Sequence, residues 1–143
     1  MTDTAAAAAW EEQLIAEMRA NDGKVNSGPL AGHPLLIMTS KGARTGADRR
    51  SILTYHLDGD DYIVAGTAGG SKQDPAWIHN LKADPNVEVE VDNERSGATA
   101  TIVEDGAERD RLWDDHVRAL PWFADYPAQT GRVIPMVRVR RSA

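Results

Sequence analysis

Two stretches of this chain carry residue types that suit ligand chemistry. The first is Lys41-Gly-Ala-Arg-Thr-Gly46, followed closely by Arg49, Arg50 and Ser51. Its glycines let the backbone turn tightly, and the N–H groups of such a turn can converge on an anion. Arg44 adds a planar donor fork that matches phosphate or carboxylate. A solvated hairpin whose charges serve solubility reads equally well from the spacing alone. The P-loop does not fit, because it needs a longer gap between its glycines and a lysine followed by Ser or Thr. The second stretch is Ala65-Gly-Thr-Ala-Gly-Gly-Ser-Lys72, in which Thr67, Ala68, Gly69, Gly70 and Ser71 offer a small-residue surface. A flat ring or a phosphate can lie against such backbone, and a plain flexible loop is the bland alternative. The partial positive charge of the following helix start, at Asp74-Pro75, favours a nearby anion.

Two further groups line up behind these. Trp77 and Asn80 stand three apart in a helical segment, hence on one face, although Trp77 also reads as ordinary core. Trp122-Phe123-Ala-Asp-Tyr126 clusters aromatics between two prolines, outside any periodic element. That suits the wall or lid of an apolar pocket with a phenol as donor, or a satellite cluster that pins a loop. His33, His56, His79 and His116 are isolated, so no metal site is expected. The chain has no cysteine, no nucleophile elbow and no well-placed carboxylate pair. If it is an enzyme, a cofactor carries the difficult step.

Composition bounds what can position these groups. The 143 residues suffice for one domain, 1–143, and the 27% charged and 41% hydrophobic content is that of a globular protein. No run approaches the ~20 apolar residues of a membrane span. Met1–Ala9 lacks a basic start and bulky apolar residues, which argues against a signal peptide. The net charge is −6, yet between Lys41 and Leu57 the only acid is Asp48. A basic island on an acidic chain fits one small anion better than nucleic acid. Arg138, Arg140 and Arg141 form a second basic cluster that reads as a solvated strand end.

The periodicity predicts an N-terminal helix within residues 1–20, with Trp10, Leu14 and Met18 on one face. Strands are expected at Leu35–Ser40, Arg50–Leu57, Asp61–Ala65, Asn86–Asp92, Ala98–Val103 and Val133–Arg140. Asp58-Gly59 marks a hairpin between two of them. Asp74 is expected to cap a short helix that begins at Pro75, a longer helix runs from Gly106 to Leu120, and Pro121–Gly131 reads as loop. Short hairpin-linked strands with few helices argue for a mainly β, α+β fold, an antiparallel sheet curled into a small barrel.

In order, Lys41-Gly-Ala-Arg-Thr-Gly46, Arg49, Gly69-Gly70, Pro75-Ala-Trp77, His79-Asn-Leu81, Asn86-Val-Glu-Val89 and Arg132-Val-Ile-Pro135 resemble the deazaflavin (F420)-dependent nitroreductase family. The resemblance spans roughly Pro34 to Pro135 and implies a split β-barrel of the flavin-reductase, FMN-binding-like kind. It further implies hydride transfer from reduced coenzyme F420, an 8-hydroxy-5-deazaflavin, to a quinone, a nitro compound or a conjugated enone or lactone such as a coumarin or aflatoxin. The coenzyme's phosphate and acidic tail would lie along Lys41, Arg44, Thr45 and Arg49, extended by Arg50, Ser51 and Ile52. Its ring would pack on Ala65, Thr67, Ala68 and the loop through Gly69, Gly70, Ser71 and Lys72, with Trp77 and Asn80 supporting that loop. Tyr55, Trp122, Phe123 and Tyr126 would border the acceptor, and Thr67 and Tyr126 would serve as catalytic donors. The chain departs from some members in carrying Ala68 where a basic residue can precede the Gly-Gly.

An FMN-dependent reductase or oxidase on the same barrel is the nearest rival, and a non-catalytic carrier of the deazaflavin or a lipophile is another. The expected partner is a small hydrophobic acceptor in a cytoplasmic setting, with no nucleic acid and no transmembrane segment. Peripheral contact of the first helix with a membrane, and a monomer or a homodimer, are both compatible with the sequence.

Overall fold

The computed structural model describes residues 2–26, 28 and 30–142. Met1, Ser27, Pro29 and Ala143, which the expected single domain includes, lie outside the described residues. Helix α1 runs over Thr2–Ala20. Leu14, Ile15 and Met18 bury one stripe of it against Val25, Leu35 and Ile37. Trp10, predicted on that stripe, is instead 54% exposed.

Seven strands form one sheet in the order β2-β1-β5-β6-β7-β4-β3, and every neighbouring pair is antiparallel. They are β1 (Leu35–Lys41), β2 (Asp48–Thr54), β3 (His56–Asp58), β4 (Asp61–Ala65), β5 (Asn86–Val91), β6 (Glu94–Val103) and β7 (Met136–Arg141). The continuous apolar start of β1, Leu35 to Met38, is buried throughout, as befits an interior strand.

The expected strand at Arg50–Leu57 is two strands. Tyr55 interrupts it, donating its N–H to the Pro34 carbonyl at 3.3 Å instead of joining a ladder. β2 and β3 are therefore the two edges of the sheet, separated in sequence by Tyr55 alone. One residue spans about 3.8 Å between neighbouring Cα atoms, so the sheet must curl until its edges nearly meet. The curl encloses a core in which Leu36, Met38, Val64, Val89, Val137 and Val139 meet Trp77, Ile78 and Leu81 of helix α2 (Ala76–Ala83).

Other boundaries shift for local reasons. Asp92 and Asn93 both have positive φ, 51° and 64°, as a two-residue hairpin turn requires. Arg95, Ser96 and Gly97 are thereby freed to pair with β5, so β6 starts earlier than expected. Helix α3 covers Gly106–Ala119. The segment predicted as loop after it is a 3₁₀ turn, Pro121–Asp125, continued by helix α4, Tyr126–Thr130. A second core cluster holds these pieces to the sheet, with Phe123 packed beside Leu112, Leu120, Ile134 and Met136.

Candidate functional site

Hairpin β1–β2 fixes which basic side chains face which way. In its register Ser40 lies opposite Arg49 and Lys41 opposite Asp48. Strand side chains alternate, so Arg49 and Ser51 take one face while Asp48 and Arg50 take the other. The connecting turn is closed by Gly42 N–H to the Ala47 carbonyl at 2.7 Å and Gly46 N–H to the Gly42 carbonyl at 2.8 Å. It is held to α2 by the buried Asn80, whose carboxamide oxygen accepts the Ala43 N–H at 3.0 Å. The result is a cleft of about 600 Å³ lined by Arg44, Thr45, Arg49, Arg50, Ser51, Trp77, His79 and Asn80 among others. Among the described residues, no carboxylate forms an ion pair with Arg44 or Arg49.

Trp77 is also a wall of a second cavity, an apolar recess of about 250 Å³. Ile52, Ala65, Thr67, Ala68, Trp122, Phe123 and Tyr126 border it. A cationic cleft and an apolar recess thus share one indole. Such an arrangement can hold a molecule with an anionic tail and a flat ring, the tail on guanidinium groups and the ring on apolar walls.

The small-residue loop beneath the recess is tightly specified. Gly66 leaves no room for a side chain, since a Cβ there would meet Pro135 Cγ at 2.9 Å. Gly70 has φ +92°, and a Cβ on it would fall 2.2 Å from Gln129 Oε1. Ala68 sits at φ 50°, the start of a 3₁₀ turn over Ala68–Gly70. Arg132 gathers the loop from outside, donating to the carbonyls of Gly66 (2.9 Å), Thr67 (3.1 Å) and Ser71 (3.2 Å) and to Asp74 Oδ1 (2.7 Å). Asp74, expected as a helix cap, is engaged there, and no side chain caps α2.

Aromatic contacts fix the opposite wall. Trp122 lies 4.5 Å from His33 and 5.3 Å from Phe123, centroid to centroid, and Tyr126 meets the Phe123 ring edge-on at 5.2 Å. Phe123 is itself buried and rests on His116 at 4.5 Å. Behind it, His116 and His56 share a buried Nδ1–Nδ1 hydrogen bond of 2.7 Å, leaving both Nε2 atoms without a partner. Burial, reinforced by the proximity of His56, pushes the His116 imidazole down to about 3, and burial lowers His56 as well.

The structure brings together Arg44, Thr45, Arg49, Ser51, Ile52, Ala65, Thr67, Ala68, Trp77, Asn80, Trp122, Phe123 and Tyr126 around these two cavities. Others are displaced. Lys41 points to the far face of the hairpin, where Asp48 pairs with it and holds its ammonium above the usual lysine range. Arg50 borders the cleft but spends its guanidinium on Glu12 of α1. Tyr55 faces a different cavity, with Val25, His33 and Asp92, and stacks edge-on against Tyr62 at 5.0 Å. Its phenol is raised by burial and by Asp92. Lys72 is exposed and lines none of these cavities, while Ser71 binds the Gln73 N–H and serves the loop's shape. Asn80 supports the arginine turn rather than the Gly-Gly loop. Sequence reasoning missed His79 in the cleft, His33 against Trp122, and the Arg132 clasp. The His79-Asn-Leu81 and Arg132-Val-Ile-Pro135 motifs were the available signals. Among the described residues, no group of three His, Cys, Asp or Glu side chains is gathered as for a metal.

Comparison with known proteins agrees with this architecture. The family model described as F420H(2)-dependent quinone reductase matches residues 10–141. An F420H(2)-dependent quinone reductase of Mycobacterium tuberculosis is 34% identical over 125 residues, covering 86% of this chain and 84% of its own. A solved structure described as an F420-H2 dependent reductase superposes with TM-score 0.68 and 31% identity, over 75% of this chain and 94% of its own. Another, described as a domain-swapped dimer, gives TM-score 0.70 and 28% identity, over 96% and 99% of the two chains. The fold is the split β-barrel, the curled sheet expected from the strand pattern.

Proposed function

Since the chain belongs to the F420H(2)-dependent quinone reductase family, we propose that it uses the two cavities that share Trp77 to reduce a flat acceptor with the deazaflavin coenzyme F420. The observation that carries this reading is the shared Trp77 wall between the cationic cleft and the apolar recess. The residues present fit the coenzyme in kind. Arg44, Arg49, Thr45 and Ser51 would hold its phosphate and acidic tail, with Asn80 keeping their turn in place. Thr67 and Ala68, with Ala65 and Ile52, would receive the ring at the recess, on a loop whose Gly66 and Gly70 allow close packing against Pro135 and Gln129. The whole of 1–143 would act as one coenzyme-binding domain, and the domain-swapped relative favours a homodimer for it.

When bound, the reduced deazaflavin supplies a hydride, two electrons with one proton, and is left oxidised. The protein's share is to orient the acceptor and to exclude water, through the wall of Trp122, Phe123 and Tyr126. A quinone that gains a hydride carries new negative charge on oxygen until it takes up one further proton. Thr67 and Tyr126 line the recess, and on this reading their hydroxyls would meet that charge, with Tyr126 holding the proton at its Oη. We read the acceptor as a flat conjugated quinone, nitro compound, or enone or lactone of the coumarin and aflatoxin type. The apolar walls support that class over strongly polar molecules.

Two measurements test this. Fluorescence titration compares F420 with FMN, and tight FMN binding without F420 binding would overturn the coenzyme assignment. Mixing reduced F420 and protein with menadione or a coumarin follows its oxidation by absorbance. Binding without turnover would make the protein a carrier instead of a reductase.

A further inference from the structure

Arg132 occupies a place that the binding and donor roles above leave unused. All four acceptors of its guanidinium, the carbonyls of Gly66, Thr67 and Ser71 and the carboxylate of Asp74, belong to the single loop that would cradle the ring. Arginine offers five donors in a rigid fork, so one side chain can fix several points of a loop at once. A lysine there could satisfy one or two of these acceptors but not hold them in a plane.

The backbone of Arg132 is anchored to the other wall. It follows the end of α4, where Gly131 adopts φ 64°, and its N–H donates to the buried Thr130 hydroxyl at 3.3 Å. Gln129 of the same helix seats against Gly70. Tyr126 begins that helix and lines the recess. The loop under the ring and the helix that presents the phenol are thus joined through one residue.

We propose that Arg132 is a positioning residue that sets the spacing between the ring cradle at Gly66–Gly70 and the acceptor wall at Tyr126. The inference rests on the reading of the recess as the place of hydride transfer. It assigns Arg132 no contact with either reactant. Misplacement of reacting partners by about 1 Å can cost on the order of 10²-fold in rate, so a spacer of this kind governs turnover without touching the chemistry.

The test uses the full-length protein and Arg132→Lys, with Asp74→Asn as a milder variant should Arg132→Lys fail to fold. Amide hydrogen exchange of the ligand-free protein should accelerate together at 67–71 and 126–130 in either variant. With coenzyme and menadione both saturating, the single-turnover rate of Arg132→Lys should fall by about 30-fold or more, and that of Asp74→Asn by less. Tyr126→Phe should slow wild type by roughly 10-fold yet slow Arg132→Lys by under about 3-fold, because neighbours acting through one geometry are not additive. A wild-type rate in Arg132→Lys, an unchanged Tyr126→Phe factor, or exchange that quickens in the loop alone would overturn the proposal. A wild-type protein inert toward F420 would instead overturn the function reading, and the exchange data would still decide whether the two segments are joined.

Discussion

Two clusters of arginines sit on this protein, and they do opposite things. At one end of the barrel, Arg138 binds Asp61 at 2.7 Å and Asp58 at 2.8 Å, Arg140 binds Asp61 at 2.9 Å, and Arg111 joins Asp58 at 3.0 Å and Glu108 at 2.8 Å. These carboxylates are held below their ordinary range, Asp58 by Arg111 and Arg138, Asp61 chiefly by Arg140, and Glu108 chiefly by Arg111. Arg140 and Arg141 stay exposed at the strand end that reads as solvated in sequence, while Arg138 is half-buried in an ion-pair lattice that ties β7 to β3, β4 and α3. At the β1–β2 turn the nearby acid, Asp48, is drawn away to Lys41, and Arg44 and Arg49 face a cleft instead. The difference is that the fold supplies carboxylates to one set of arginines and withholds them from the other, which leaves Arg44 and Arg49 available to an anionic ligand as proposed.

The sharpest break of this contrast is to remove the unpaired pair. Arg44→Ala with Arg49→Ala should raise the Kd for F420 by about 10²–10³, since a hydrogen bond to a charged group contributes about 1.5–3 kcal/mol, and should leave the unfolding midpoint nearly unchanged. Isothermal titration and a thermal melt decide it. An unchanged Kd would show that the cleft does not hold the coenzyme's anionic end.

The reciprocal substitution acts on stability. Asp61 serves both Arg138 and Arg140, but Arg140 is largely exposed and Arg138 keeps Asp58 and Glu108, so Asp61→Ala should lower unfolding free energy by about 1–2 kcal/mol in a urea titration, with F420 affinity intact in the folded fraction. Because the folded carboxylates titrate low, this lattice stabilises the protein above pH ~4 and loses its contribution as pH falls through that range and below.

The buried histidines predict a separate, earlier acid transition. The unfolded imidazole of His116 takes up a proton near 6.5 and the folded one only near 3, so stability is present above about 6.5 and declines as pH falls. One such group costs about 2 kcal/mol by pH 5, and melts at pH 7 and pH 5 should differ accordingly. In His116→Leu that difference should shrink. If it persists, the histidine pair is not its source.

Much of the barrel was legible because local rules and tertiary packing agree. The Asp58-Gly59 hairpin signal (the turn itself is Gly59-Asp60), the alternating Val87, Val89 and Val91, and the apolar start of β1 each point to the element that forms. What stayed hidden depended on partners far away in sequence. Tyr55 breaks a good strand pattern only because the sheet has two edges to connect. The 3₁₀ turn and α4 after Pro121 gain their shape from Phe123 sinking beside Leu112, which no local spacing reveals. In the site, Arg44, Arg49, Trp77 and Tyr126 were legible as types in motifs, while Asn80 and Arg132 act on backbone 37 and 61–66 positions away.

Lys41 offers the finest test, because residue type alone would group it with Arg44. Strand alternation sets it against Asp48, and Lys41 does not line the cleft. A charge there would be separated by the hairpin from an anion held at Arg44 and Arg49 and is partly cancelled by its neighbour, and at physiological salt the screening length is only about 8 Å. Lys41→Ala should therefore change the Kd for F420 by less than threefold, against the much larger loss in the double arginine variant. Lys41→Ala and Asp48→Ala should also be compared, since removing the acid leaves Lys41 uncompensated and should tighten binding slightly at low salt. A tenfold loss on Lys41→Ala alone would mean that the ammonium swings over the hairpin to meet the ligand, and that pairing in the ligand-free protein is a poor guide to which cations the coenzyme uses.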